Sequence, residues 1–168
     1  MRFSVQQRFA APAADVADAF CDPGFYALLA ESPKLGRPEL LDRRADGDHV
    51  HLRVRYRFTG ELSSAARAVL DPDKLTWVEH ADHDLAARTV SFHLEPDHYG
   101  DRFSCRGRYW FEADGAEEAS TVRTAEGEVK VRALLVAGAV ERAIVSGLEE
   151  HLDDEVELLE GWLAANDG

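Results

Sequence analysis

The side chains that could do chemistry in this chain are few: Glu141, Arg123, seven histidines and two cysteines. Counting 100° per residue along a predicted helix over roughly 134–164 places Glu141 between Leu134, Ala137, Val145 and Leu148. That is the apolar stripe of the helix. A carboxylate there is costly unless it is paired or hydrogen-bonded, so a partner is required. Strand alternation puts Arg123 on the same inner side, and an Arg123–Glu141 ion pair is the expected arrangement. Such a pair could be structural, or it could also orient the polar head of a bound molecule. Acid–base catalysis needs a buried acid or base with a shifted pKa, and the sequence offers little beyond these two groups.

The remaining candidates point to structure more than to chemistry. His49 and His51 share one face of a predicted strand, and His80 and His83 are expected to flank a turn. Neither pair has a third ligand at zinc-site spacing, so no metal is expected. There is no Gly-x-Ser-x-Gly elbow, phosphate loop or dinucleotide fingerprint, and no cofactor is expected. Cys105 reads as a small core residue. Arg53, Arg55 and Arg57 form a cationic row on a solvated face, expected to pair with acids such as Glu61 or Glu79. Trp77 and Trp110 read as sheet packing and Trp162 as closure of the last helix. Phe25 and Tyr26 fall in a second short helix, where packing is the first expectation.

The elements that must hold these residues follow from periodicity. "RFSVQQRF" alternates as a half-buried strand, and two short helices follow in "PAADVADAFCD" and "DPGFYALLAES", the second closed by Pro33. A hairpin around Asp46-Gly47-Asp48 leads into Val50, Leu52, Val54, Tyr56 and Phe58, all on one face. Residues 61–73 are ambiguous between a helical turn and an extended crossing. Four more strands are predicted in "KLTWVEHA", "ARTVSFHLEP", "DRFSCRGRYWFEA" and "STVRTAEGEVKVR", for about seven in all, antiparallel. The last helix carries Ile144, Val145, Leu148, Leu152, Val156, Leu159 and Leu163 on one side and mostly acids on the other. If a turn near Gly115 sets Phe111 opposite Thr121, then Gly107 faces Ala125 and Cys105 faces Gly127. These four small residues then line a concave inner face, alongside Gly138 and Gly147 on the helix. Either they leave room for a ligand, or they permit close packing with no cavity.

Composition bounds the rest. A chain of 168 residues is most simply one domain, with a core that needs no staples. Its formal charge of -13 repels phosphate backbones, so nucleic acid is an unfavoured partner. "MRFSVQQRF" has no apolar signal region, "ALLVAGAV" is too short to span a bilayer, and two cysteines make no disulfide framework. A bacterial, cytoplasmic protein is the expectation, as a monomer or weak dimer.

The order strand, two short helices, six strands and a long C-terminal helix resembles the helix-grip fold of the START and birch-pollen-allergen superfamily. "FAAPAADVADAFCDPGFY" is similar to that superfamily's usual opening, and "GEVKVRALLVAGAVERAI" resembles an actinobacterial branch of unknown function. The resemblance implies an α+β domain over 1–168 whose curved sheet wraps the long helix around an apolar cavity. The lining it implies is Tyr56, Phe58, Phe92, Gly107, Tyr109, Arg123, Ala125, Gly127, Val129, Glu141, Ile144, Val145 and Leu148. It further implies binding or carriage of a hydrophobic small molecule, a lipid or polyketide-like compound. The alternative is a cyclase or dehydratase in the same cavity, and a third is an interaction domain without a ligand.

Overall fold

The computed structural model describes residues 1–29, 36–60, 62, 64–68, 70–115, 117–132 and 137–166; the side chains of 65, 66, 117 and 118 are not described. Strand β1 (Arg2–Phe9) leads into α1 (Ala13–Ala19) and α2 (Pro23–Leu28). Then come β2 (Glu39–Asp46), β3 (His49–Arg57), the short α3 (Ser64–Arg67), a 3-10 turn (Pro72–Lys74), β4 (Thr76–Asp84) and β5 (Thr89–Pro96). Strands β6 (Phe103–Asp114) and β7 (Glu117–Val131) precede the long α4 (Ala137–Asn166). The expected seven strands form one antiparallel sheet in the order β1-β7-β6-β5-β4-β3-β2. The ambiguous 61–73 stretch contains a single helical turn and the 3-10 turn. Pro33, Glu61 and Leu134, named above as candidates, lie outside the described residues.

Local chemistry explains the ends that matter. Asp22 caps α2 by accepting from the Gly24 amide at 2.6 Å, and Pro23 supplies a preset first turn. Gly47 and Gly115 take positive φ (59° and 62°) at the two tight turns, a conformation that costs glycine little. Strand β4 runs through Asp84, beyond the end that "KLTWVEHA" implied, and the turn follows at 85–88 with Arg88 at φ 55°. His80 and His83 therefore do not flank a turn. They point to opposite faces of β4, His83 buried and His80 half-buried on the outer side.

The β6–β7 register also differs from the expected one. Phe111 lies opposite Arg123, Gly107 opposite Gly127, and Cys105 opposite Val129. The ladder slips between Ala113 and Asp114, and the pairing beyond it is displaced by two residues along β7 from the expected register. An even offset returns every side chain to the same face, so the inner and outer sets survive. On the outer face Arg106 consequently sits opposite Glu128, and Arg108 opposite Glu126.

One apolar cluster lies beneath α1 and α2, where Phe20 packs edge-on to Phe25 at 5.3 Å and stacks on Phe111 at 5.5 Å. A second joins Phe3, Cys105, Val129 and Val145. Helix α4, about 45 Å long at 1.5 Å per residue, makes its closest approach to β1 and β7 rather than to the middle of the sheet. That asymmetry leaves β4 and β5 less covered, and it positions the site.

Candidate functional site

The inner face of the sheet carries a buried charged group, Arg123. Arg123 on β7 is 1% exposed and pairs with Glu155 of α4 at 2.7 Å. It also donates to the Leu152 carbonyl at 2.9 Å and to Gln7 of β1 at 3.3 Å. Phe9, Phe20 and Tyr109 hold their rings 5.3, 5.2 and 6.0 Å from its guanidinium. Its charge is satisfied on all sides by protein. The expected pairing with Glu141 is therefore corrected. Glu141 instead accepts from the Val131 amide at 2.9 Å and from the Met1 ammonium at 3.2 Å, at the edge of the helix–sheet contact. Those bonds, the Val131 amide foremost, hold its carboxyl below the usual range. The physical reason is reach: α4 runs along β7, so Glu141 meets the Val131 end of the strand, and the helix turn that meets Arg123 is the one carrying Glu155.

Glu155 bridges to a second group. Its other oxygen meets Nε2 of His151, one helical turn back, at 3.2 Å. Burial would raise the Glu155 pKa, but Arg123 and His151 outweigh it and bring the carboxyl to about 2. Burial pulls His151 down, yet Glu155 raises it on balance. An ionised Glu155 facing Nε2 favours the tautomer with the proton on Nε2, which leaves the Nδ1 lone pair free. Nδ1 is buried and has no hydrogen-bond partner among the described residues.

Glu79 is the third member, and here the sequence expectation fails. As a partner for the arginine row it belongs on the outer face. The register instead sets Val54 opposite it on β3 and Leu94 on β5, both of the inward set, so Glu79 points in and Val78 points out. Burial, and then the neighbouring Glu155 charge, push its pKa up to about 7. No hydrogen bond or ion pair to Glu79 is found among the described residues. It stands beside Trp77, two residues away on the same face, which stacks on Tyr56 at 5.9 Å. Tyr56 in turn meets the His151 ring edge-on at 6.4 Å.

Glu79, Tyr109 and His151 are enclosed deep in the molecule, yet each retains accessible surface. Trp77, Phe92 and Leu94 on the sheet, and Ile144 and Leu148 on α4, are likewise inward-facing but only half-buried. A Cβ built on Gly147 of α4 would meet nothing within 4 Å. Side chains with accessible surface thus lie on the inward side of β4–β6 and on the Ile144–His151 face of α4, apolar except for Glu79 and His151.

The sequence-predicted lining divides in two. Phe92, Tyr109, Ile144 and Leu148 are half-buried, and Tyr56 is buried between Trp77 and His151. Ala125, Val129 and Val145 are sealed in the core. Gly107 and Gly127 serve close packing: a Cβ at 107 would lie 2.3 Å from the Glu126 carbonyl, and one at 127 would lie 2.5 Å from the Phe3 ring. Phe58 lies beyond the end of β3 with its ring over Gly60. Phe25 and Tyr26 are buried, the Tyr26 hydroxyl donating to the Phe20 carbonyl at 2.9 Å. Cys105 is a buried core thiol, pushed up to about 12 by burial.

The outer face of the sheet is a network of charges. Arg55 pairs with Asp97, His51 with Asp82 and His80 with Glu95, while His80 stacks on His93 at 4.5 Å. A shallow trough of about 1050 Å³ runs across β1, β7, β6 and β5, bordered by Arg106, Arg108, Glu126 and Glu128 in alternating sign. Among the described residues no group of three His, Cys, Asp or Glu is placed to hold a metal ion, and no helix is long and apolar enough to cross a membrane.

This geometry has known counterparts. The chain superposes on TTHA0849, a protein of Thermus thermophilus, with a TM-score of 0.70 and 15% identity, covering 100% of both chains. The Zhui aromatase/cyclase of Streptomyces sp. R1128 matches with a TM-score of 0.64 and 18% identity over 96% of this chain and 92% of that one. A START superfamily protein from Mycobacterium smegmatis matches at 0.57 and 20%, over 98% and 97%. At these identities the likeness establishes the helix-grip fold. No curated protein matches in sequence. The profile of one protein family does match, over residues 4–163, so this helix-grip domain belongs to the family described as a protein of unknown function, DUF2505.

Proposed function

We propose that this protein binds a hydrophobic small molecule, of lipid or polyketide-like kind, in the cleft between the sheet and α4. The observation that carries this reading is the set of deep yet accessible inner side chains: Trp77, Glu79, Phe92, Tyr109, Ile144, Leu148 and His151. Apolar surface left uncovered inside a domain is costly in water and is offset when an apolar molecule occupies it. A few polar groups at one end supply orientation. Support also comes from fold-mates whose names record an aromatase/cyclase and a START superfamily protein.

The test is equilibrium binding of a neutral apolar fluorophore, N-phenyl-1-naphthylamine, to the full chain. One site per chain is expected, weakened by Gly147→Trp, which projects a ring into the open side of α4. Absence of saturable binding, or binding indifferent to Gly147→Trp in a folded variant, overturns the reading. A second reading, acid–base catalysis of the cyclase or dehydratase kind, is favoured by one observation. Glu79, with its pKa near 7, stands close enough to His151 to bias its protonation, and Glu155 orients that imidazole. Turnover of a β-hydroxyketone by the wild type, lost in both Glu79→Gln and His151→Asn, would establish it.

A further inference from the structure

The charges around the cleft say which head group it accepts. Arg123 is the strongest cation on the inner face, but it is 1% exposed and covered by three aromatic rings, so no ligand can reach it. Its charge is already balanced by Glu155. His151 is committed through Nε2 to the same Glu155. Glu79 has neither a cation nor a hydrogen-bond donor of its own among the described residues. With Glu79 ionised, as it is at pH 8, Arg123, Glu155 and Glu79 sum to one net negative charge when His151 is neutral, and to none when it is protonated. In neither state is there an unpaired cation for an anionic head.

Resting on the hydrophobic-ligand reading, we infer that the cleft recognises a protonated amine carried on an apolar body, with Glu79 as its counter-ion and the Tyr56–Trp77 stack as its aromatic wall. A carboxylate beside aromatic rings attracts an ammonium twice, through charge and through the ring quadrupole, and both effects strengthen out of water. A bound cation supplies the partner that a deep carboxylate requires. It also favours the ionised form of Glu79, which burial and Glu155 oppose in the empty cleft. A fatty-acid carboxylate would face Glu79 and Glu155 with Arg123 out of reach, and is disfavoured by like charge. The formal charge of -13 adds a long-range field that draws cations in and turns anions away.

The experiment is competition against N-phenyl-1-naphthylamine at pH 8 by decylamine, 1-decanol and decanoate, three probes with one apolar body and three heads. Wild-type protein should bind decylamine about ten-fold more tightly than decanol, and decanoate most weakly. In Glu79→Gln and Glu79→Ala, each checked for folding by circular dichroism, the amine should fall to within about two-fold of the alcohol while decanol binding is unchanged. Decanol binding without an amine preference, decanoate matching decylamine, or an amine preference that survives both variants overturns this inference and leaves the hydrophobic-ligand reading standing. Failure of both the fluorophore and decanol to bind overturns that reading and the inference with it.

Discussion

Arg123, Glu155 and His151 form a buried unit whose members cannot be removed singly without penalty. Glu155→Gln leaves a guanidinium 1% exposed without its carboxylate and should cost about 3 kcal/mol or more in denaturant unfolding at pH 7. Arg123→Met should cost a similar amount, and the double variant much less than the sum. Additive effects would mean the two charges are not coupled. Glu155 stabilises the fold above its unfolded pKa of about 4.3, and that contribution is lost as pH falls toward its folded value of about 2. Glu79 has the opposite sign. Its folded value of about 7 lies above the unfolded one, so stability is full below about pH 4.5 and is lost as pH rises to about 7. Glu79→Gln should therefore raise stability at pH 8, on the order of 1–2 kcal/mol after discounting for its accessible surface, and change little at pH 4. Equal effects at both pH values would contradict a strained Glu79. A residue whose removal stabilises the fold is retained for some other reason, and a binding role supplies one.

At the scale of elements, two glycines that look alike in the sequence have opposite meanings. Gly147 is on α4 with nothing within 4 Å of an added methyl, so Gly147→Leu should be tolerated. It should gain about 0.5–1 kcal/mol in helix propensity while narrowing the cleft, read as raised Tm with weaker probe binding. Gly107 sits between β5 and β7, where a methyl would collide with the Glu126 backbone at 2.3 Å and with the Phe92 ring at 2.8 Å. Gly107→Ala should lower Tm sharply, because backbone cannot step aside without breaking the β6–β7 ladder. A stable Gly107→Ala would mean the strands are less closely apposed than they stand here. The inner surface left uncovered follows from the course of α4, which leans on β1 and β7, and the two sheet glycines serve close packing.

Over the whole molecule, charge is segregated by layer. Helix α4 presents Glu149, Glu150, Asp153, Asp154, Glu157 and Glu160, whereas the outer face of the sheet interleaves arginine with acid. With a formal charge of -13, entry of a cationic probe should be electrostatically assisted. Raising NaCl from 20 to 500 mM, on the order of a five-fold shortening of the Debye length, should slow association of decylamine several-fold. The same change should leave decanol nearly unaffected. Equal salt dependence for both probes, in stopped-flow competition, would rule out steering by the protein's field.

How much of this is legible without the structure depends on the range of the interaction. Strand alternation, the Asp-Gly hairpin, the two short helices and the long amphipathic helix are local patterns, and from them the helix-grip order is readable along the whole chain. So is the inward aim of Arg123, because a register offset by an even number preserves faces. The partner of Arg123 is not readable. Glu141 and Glu155 are both carboxylates in the apolar stripe of one helix, nearly four turns apart, and the same count that singles out Glu141 could have flagged Glu155. Only the approach of α4 to β7 selects between them. Glu79 is misplaced because Val78 looks like the inward member of its strand, and it is buried, with 4% exposure, but on the outer side. Local hydrophobicity assigns faces only when it agrees with the sheet, and β4 obeys its neighbours β3 and β5 instead. Sequence determined the elements and their order; tertiary structure decided which charges meet and where space remains, since both depend on the angle at which one long helix crosses the sheet.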